Sequence, residues 1–270
     1  MDYLTRESAP ISMDMWAQID NAVVDAARKH LVCRRFLSLF GPLGAGVSHI
    51  SIDNSEKKEE TSDGFCYTTG RKIIELPQLY EDFTLFWRDI EESQKSGCPL
   101  DLSTAMVAAQ KAAKREDNLI LFGNKQLGQE GLLTAKDSFK IKRGNWNEGE
   151  DAFRDVAHGI AHLSSNSFLG RYALILSPDV YLSLQRILPG INILESERIA
   201  KLVDGRVYAT GAFGANKAVL VCAEPQYMDL AVGCDISTGY LETKELNHVF
   251  RIMETVALRI KEPKAIVNFE

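Results

Sequence analysis

Apolar residues recur at helical spacing from the first well-patterned stretch: Trp16, Ile19, Val23, Ala27 and Leu31. Ser12 stands where an N-cap belongs, and Asp14 lies in the first turn, where a carboxylate meets free amides. The pattern predicts a helical block over residues 12–40. Gly41-Pro42 should end it, because proline has no amide donor and restricts the residue before it. From 45 to 80 the pattern changes. Ser51 to Gly64 has almost no apolar residue and cannot build a core. Val47–Ile52 and Phe65–Leu76, which flank it, are rich in β-branched and aromatic residues. A long, polar, two-stranded arm is the expected form, and its simplest use is pairing with a neighbouring chain.

Leu79, Tyr80, Phe83, Leu85, Phe86 and Trp87 crowd residues 79–90 and predict a strand there. Ser96-Gly97-Cys98-Pro99 reads as a loop. Asp101 or Ser103 then caps an alanine-rich helix over Thr104–Asp117. Phe153, Val156, Ile160 and Leu163 predict a helix over 149–165. Tyr172–Leu176 reads as a buried strand, and Ser177-Pro178-Asp179 opens a short helix. The loop Leu188, Pro189, Gly190, Ile191, Asn192 follows. Strands are expected at Arg206–Thr210, Ala218–Cys222 and Asp229–Val232, with a long alternating ribbon from His248 to Ile260. Gly211-x-x-Gly214-x-x-Lys217 has the composition of a hairpin turn. The class is α+β.

Composition narrows the function more than the fold. The chain has 270 residues, 45% hydrophobic and 25% charged, which is globular usage. Its longest apolar runs are too short to cross a bilayer, and its first residues lack the basic and apolar regions of a signal peptide. The formal charge of −6 argues against nucleic-acid and anionic-membrane partners. Cys33, Cys66, Cys98, Cys222 and Cys234 are widely spaced, with no C-x-x-C pair, so reduced thiols in a cytoplasmic protein are expected.

Catalytic signatures are missing. There is no phosphate-cradling glycine loop, no G-x-S-x-G and no H-E-x-x-H. His158 and His162 are four apart on one helix face and could share a metal. They lie off the apolar stripe with no third ligand signalled, so a solvated face explains them better and no metal site is assigned. Glu59-Glu60, Glu91-Glu92 and Glu116-Asp117 sit in polar stretches and read as solvated surface. No enzyme is expected.

Several short motifs then fall in one order. Leu4-x-Arg6-x-x-Ala9-Pro10-Ile11 leads to Trp16-x-x-Ile19-Asp20, Leu31-x-x-Arg34-Arg35-Phe36 and Gly41-Pro42-x-Gly44. Asp101-Leu102-Ser103, Phe122-Gly123, Gly128-x-x-Gly131-Leu132-Leu133 and Gly233-x-Asp235-x-x-x-Gly239-Tyr240 follow. Each is weak alone. Together, from about residue 4 to 269, the chain resembles the family 1, linocin-like encapsulins, the bacterial nanocompartment shell proteins.

That resemblance implies the major-capsid fold of tailed bacteriophages, with an N-terminal helix, an E-loop, a P domain and an A domain. It places the N-terminal helix and start of the P domain at 1–49 and the E-loop at 50–74. The P domain with its spine helix would span 75–133, the A domain 134–225 and the returning P-domain strands 226–270. It implies an icosahedral shell of roughly sixty copies. The cargo would be a ferritin-like protein or a dye-decolorising peroxidase held by its C-terminal targeting peptide, for iron storage or oxidative-stress defence. A phage or prophage capsid protein, or an enzyme of unrecognised type, remains the alternative.

The resemblance also implies sites. The cargo peptide would lie between the N-terminal helix and the returning ribbon, on Ala27, Leu31, Arg34, Ser38 and Leu39 facing Ile236, Thr238 and Tyr240. Ala27, Leu31 and Arg34 would share one helix face, with Arg34 bonding a peptide carbonyl or carboxylate. Arg34→Glu would then empty the particles without breaking them. Ser38 replaces an acid that some relatives carry, which weakens selection for a basic peptide residue. Ala27 and Leu31 can equally pack the helix onto its own subunit. Leu188 to Asn192 would line the five-fold pore and, being uncharged, select by size. No cofactor is required, although Trp87 could stack on a flavin.

Overall fold

The computed structural model describes residues 3–187, 190 and 192–270. Its first long element is helix α1 (Met13–His30), capped by Ser12, whose Oγ accepts the Met15 amide at 3.3 Å. The predicted apolar stripe is buried. The helix ends much earlier than its pattern implied. Leu31 adopts extended backbone, a 3-10 turn covers Cys33–Arg35, and Leu39–Phe40 form strand β1. The cause lies far along the chain. The Val32 and Cys33 amides donate to the buried carboxylate of Asp117 at 3.1 and 3.0 Å, so they cannot extend the helical ladder.

Strands β2 (His49–Ser62) and β3 (Phe65–Glu75) form the expected arm, antiparallel from His49↔Glu75 to Ser62↔Phe65 and paired with no other strand. Only its root is anchored, with Ile50, Ile52 and Ile74 packing beside Ala231 and Ala257. Asp53 pairs with Arg71 and Lys58 with Thr69, so residues 54–57 bulge opposite Gly70. Gly70 has φ +72°, and a Cβ there would meet Lys57 backbone at 2.8 Å. Beyond the bulge the arm exposes Phe65 and Tyr67, at 73% and 48%, and on its root side it exposes Ile73, at 68%. The two-residue spacing of Phe65 and Tyr67 puts that pair on one face.

The strand expected over 79–90 divides. Strand β4 is Gln78–Leu85, and helix α2 (Trp87–Ser96) takes Trp87, with Phe86 at its N-cap. Helix α3 runs from Ser103 to Phe122, beyond the predicted end at Asp117, because its buried stripe continues into Leu119 and Ile120. Short strands β5 (Gly123–Asn124) and β6 (Gln129–Glu130) close the turn after it.

Next come β7 (Phe139–Ile141), α4 (Asp151–Ser165), β8 (Tyr172–Leu176), α5 (Pro178–Ser183), α6 (Glu195–Leu202), β9 (Val207–Ala209) and β10 (Ala218–Cys222). The chain then forms the long hairpin β11 (Met228–Lys244) and β12 (Asn247–Ile260), followed by β13 (Ile266–Phe269). One sheet has the order β1-β11-β12-β4, the other β7-β13-β10-β8-β9. Two expectations fail here. Residues 211–217 are no hairpin turn: β9 and β10 lie on opposite sides of β8, whose backbone takes partners at both edges. The final residues do not all return to the long hairpin either, since β13 pairs with β10 and β7. Strand β11 is also far longer than Asp229–Val232, because register shifts near Cys234, Ser237 and Tyr240 break its alternation.

One core fills the five-stranded sheet and reaches into the hairpin. A second joins α1, α3, β4 and the hairpin around Phe250, which lies edge-on to Trp16 at 5.5 Å and stacks on Phe83 at 5.2 Å. The face between α1 and β11 rests on this second core.

Candidate functional site

The face between α1 and β11 gathers five of the eight residues expected to dock a peptide. Ala27, Leu31 and Tyr240 belong to the second core, and Ile236 packs on its edge. Ala27 and Leu31 are buried against their own subunit, which is the packing role weighed beside the docking one. Thr238 is also buried, and among the described residues its Oγ1 meets no hydrogen-bond partner. The Tyr240 hydroxyl lies 2.6 Å from Thr243 Oγ1. Ile236 keeps partial exposure beside the exposed Asp235. Ser38 and Leu39 are elsewhere. The Ser38 hydroxyl accepts from Arg171 at 2.8 Å, and Leu39 pairs with Leu230 in the sheet.

Arg34 departs most from expectation. It lies in the 3-10 turn, not on the helix, and its guanidinium is already engaged. Nε and Nη2 donate to Glu116 at 2.9 and 2.6 Å, Nη2 also to Glu254 at 2.8 Å, and Nη1 to Asp235 at 2.6 Å. Burial alone would depress its pKa, but Glu116 above all outweighs that and raises it. Asp235 is disfavoured by burial yet held below the usual carboxylate range by Arg34. A peptide carboxylate would have to displace three existing partners.

The acidic dipeptide Glu116-Asp117 is likewise not solvated surface. Both side chains are buried, Glu116 on Arg34 and Asp117 on the Val32 and Cys33 amides. Together they tie the segment after α1 to the middle of α3. Burial, then Asp117, pushes the Cys33 thiol well above its ordinary pKa, so this cysteine is unreactive.

The other predicted sites are peripheral. Trp87 opens α2 with 37% exposure, and the Arg88 guanidinium lies 5.5 Å from its ring. His162 stacks on Phe139 at 3.5 Å and His158 meets the same ring edge-on, so packing as well as solvent explains the pair. Among the described residues no group of three or more histidine, cysteine or carboxylate side chains could hold a metal. Of the expected pore loop, Leu188, Pro189 and Ile191 lie outside the described residues, while Gly190 and Asn192 are exposed.

The comparisons with known proteins decide what this architecture belongs to. A family profile, Linocin_M18, described as encapsulating protein for peroxidase, matches residues 1–257. The chain belongs to the encapsulin shell-protein family. The type 1 encapsulin shell protein EncA of Myxococcus xanthus is 36% identical over 277 residues, covering 100% of this chain and 96% of its own. A diheme-cytochrome–encapsulin shell fusion protein of Kuenenia stuttgartiensis is 34% identical, covering 96% of this chain and 74% of its own. Among solved structures, the virus-like particle of Pyrococcus furiosus aligns with TM-score 0.76 and 21% identity, over 96% of this encapsulin and 100% of that chain. The capsid of Myoviridae phage XM1 aligns with TM-score 0.64 and 12% identity, over 88% and 91%. The fold is therefore the α+β major-capsid fold of tailed phages, as expected. The relatives are named as shell proteins, so this encapsulin is a structural subunit and not an enzyme.

Proposed function

We propose that this encapsulin closes into an icosahedral particle of roughly sixty copies that encloses a cargo protein in the cytoplasm. The arm carries the reading. Among the described residues its strands pair with no other strand, yet its outer part presents Phe65 and Tyr67 on one face. Covering that stripe with a neighbouring copy, around a closed symmetry, removes both the apolar surface and the open strand edges. The body of residues 134–225 with β13 is the A domain, and the long hairpin with β4 and α3 is the P domain. Gly190 and Asn192, both exposed, lie at the opening of the five-fold vertex. Electron microscopy of the purified protein should show hollow closed particles free of nucleic acid. Small oligomers would overturn the shell, and packaged nucleic acid would favour a phage capsid protein.

The cargo docks through a C-terminal peptide at the α1–β11 face, where Ile236 offers partly open apolar surface beside Asp235. Fusion of a relative to a diheme cytochrome supports enclosure of a redox protein. A ferritin-like protein or a dye-decolorising peroxidase is the cargo proposed, serving iron storage or oxidative-stress defence. Ile236→Ser should leave particles intact and weaken cargo retention about tenfold, which corresponds to one lost apolar contact. Unchanged cargo content by mass spectrometry would place the groove elsewhere.

Trp87 is the platform for a flavin in the same reading. Its indole is partly open, and Arg88 supplies a cation for a phosphate. The purified shell should absorb in the flavin bands, and Trp87→Ala should lose them. A colourless wild-type shell removes the cofactor.

A further inference from the structure

The charge junction behind α1 does not balance. Arg34 supplies one positive charge to Glu116, Glu254 and Asp235. The Asp235 side chain is 63% exposed, and water shares its charge. Glu116 and Glu254 are shut away at 0% and 1%, and among the described residues their ion pairs run to Arg34 alone. Two ionised carboxylates on one guanidinium in a dry site would leave an uncompensated buried charge, which proteins avoid by holding a proton. Among the described residues Glu254 Oε1 meets no hydrogen-bond donor.

We propose that Glu254 holds a proton toward Glu116 at neutral pH, and that losing it under alkaline conditions unlocks the Cys33–Arg35 turn from α3 and the hairpin. The inference holds whether or not the subunit carries cargo. Glu254 is the carrier. Burial raises its pKa well above the usual range first, the charge of Glu116 and a hydrogen bond to Glu116 add to that, and Arg34 opposes it without prevailing. The other titratable groups around the site do not replace it. On α3, Asp117 turns away onto the Val32 and Cys33 amides. In the 3-10 turn, Cys33 stays a thiol. On β11, Asp235 stays ionised with help from Arg34 and the more distant Arg28 of α1. On β4, Glu81 is engaged by Arg115 of α3.

The sign follows from linkage. A carboxyl whose pKa is higher folded than unfolded binds more protons in the folded state, so stability falls as pH rises. The contribution is complete below the ordinary glutamate pKa and is lost once pH passes the raised folded value.

Denaturant unfolding across neutral to alkaline pH should show the wild-type folding constant falling by up to about tenfold per pH unit in that window. Glu254→Gln, which retains a donor toward Glu116 but has no proton to lose, should flatten that limb. A variant curve parallel to wild type would overturn the proposal. Infrared difference spectra of the wild type keep the test independent of the variant's folding. A protonated-carboxyl C=O band should be present at neutral pH, persist while the limb falls and vanish where it levels off, and a spectrum without that band would equally overturn it.

Discussion

Replacing Arg34 with methionine is expected to destabilise the subunit by about 3–5 kcal/mol, the cost of leaving a buried charge without its partner. Methionine fills much of the volume but donates nothing, so Glu116 and Glu254 would face each other without a cation. Chemical denaturation of the purified chain measures the loss, and adding Glu116→Gln and Glu254→Gln together should recover most of it. A drop below about 0.5 kcal/mol, the range of an ordinary surface change, would show that the junction is not charged as drawn. This corrects the expected use of Arg34→Glu to empty intact particles. A fourth carboxylate in that site would damage the subunit itself, so lost cargo would say nothing about peptide binding.

Deleting Asn54–Asp63 is expected to abolish closed particles while sparing the fold. The deleted residues contribute nothing to either main core. Ile50, Ile52 and Ile74 at the root of the arm remain. The circular dichroism spectrum should match wild type, and native mass spectrometry should show subunits or small oligomers in place of a megadalton species. Complete particles from the deleted chain would refute the role assigned to the arm.

Local patterns in the sequence were enough for the α1 stripe, the polar arm, the β8 and β10 strands and the ordered run of family motifs. What they hid depends on distant partners. Helix α1 stops where Asp117 takes its amides, more than eighty positions away. Register shifts erase the alternation of β11 beyond Val232, so only its first part looks like a strand. The buried junction was nevertheless written in period. Glu116 falls on the stripe Ala105, Ala109, Ala112, Ile120, and Glu254 on the inward face of Phe250, Ile252, Val256 and Leu258. A carboxylate occupying a core position of a well-patterned element signals a buried partner. Treating Glu116-Asp117 as a polar pair, without its phase on the helix, concealed that signal. The docking residues were harder to see because Arg34 looks helical until α1 is known to end at His30.

Strand β13 sits inside its sheet, between β7 and β10, although it is translated after all its neighbours. On a ribosome the sheet therefore waits with an open slot, the backbone N–H and C=O groups of β10 and β7 that face it unpaired, while the long hairpin is still being made. Such non-local closure is slow, and a vacant strand position invites a strand from another chain. For a protein that must gather many copies at high local concentration, the order of events matters: filling that slot from within each chain has to outrun encounter between chains. Mutations that delay β13 should thus raise misassembly more than they lower the stability of the finished subunit.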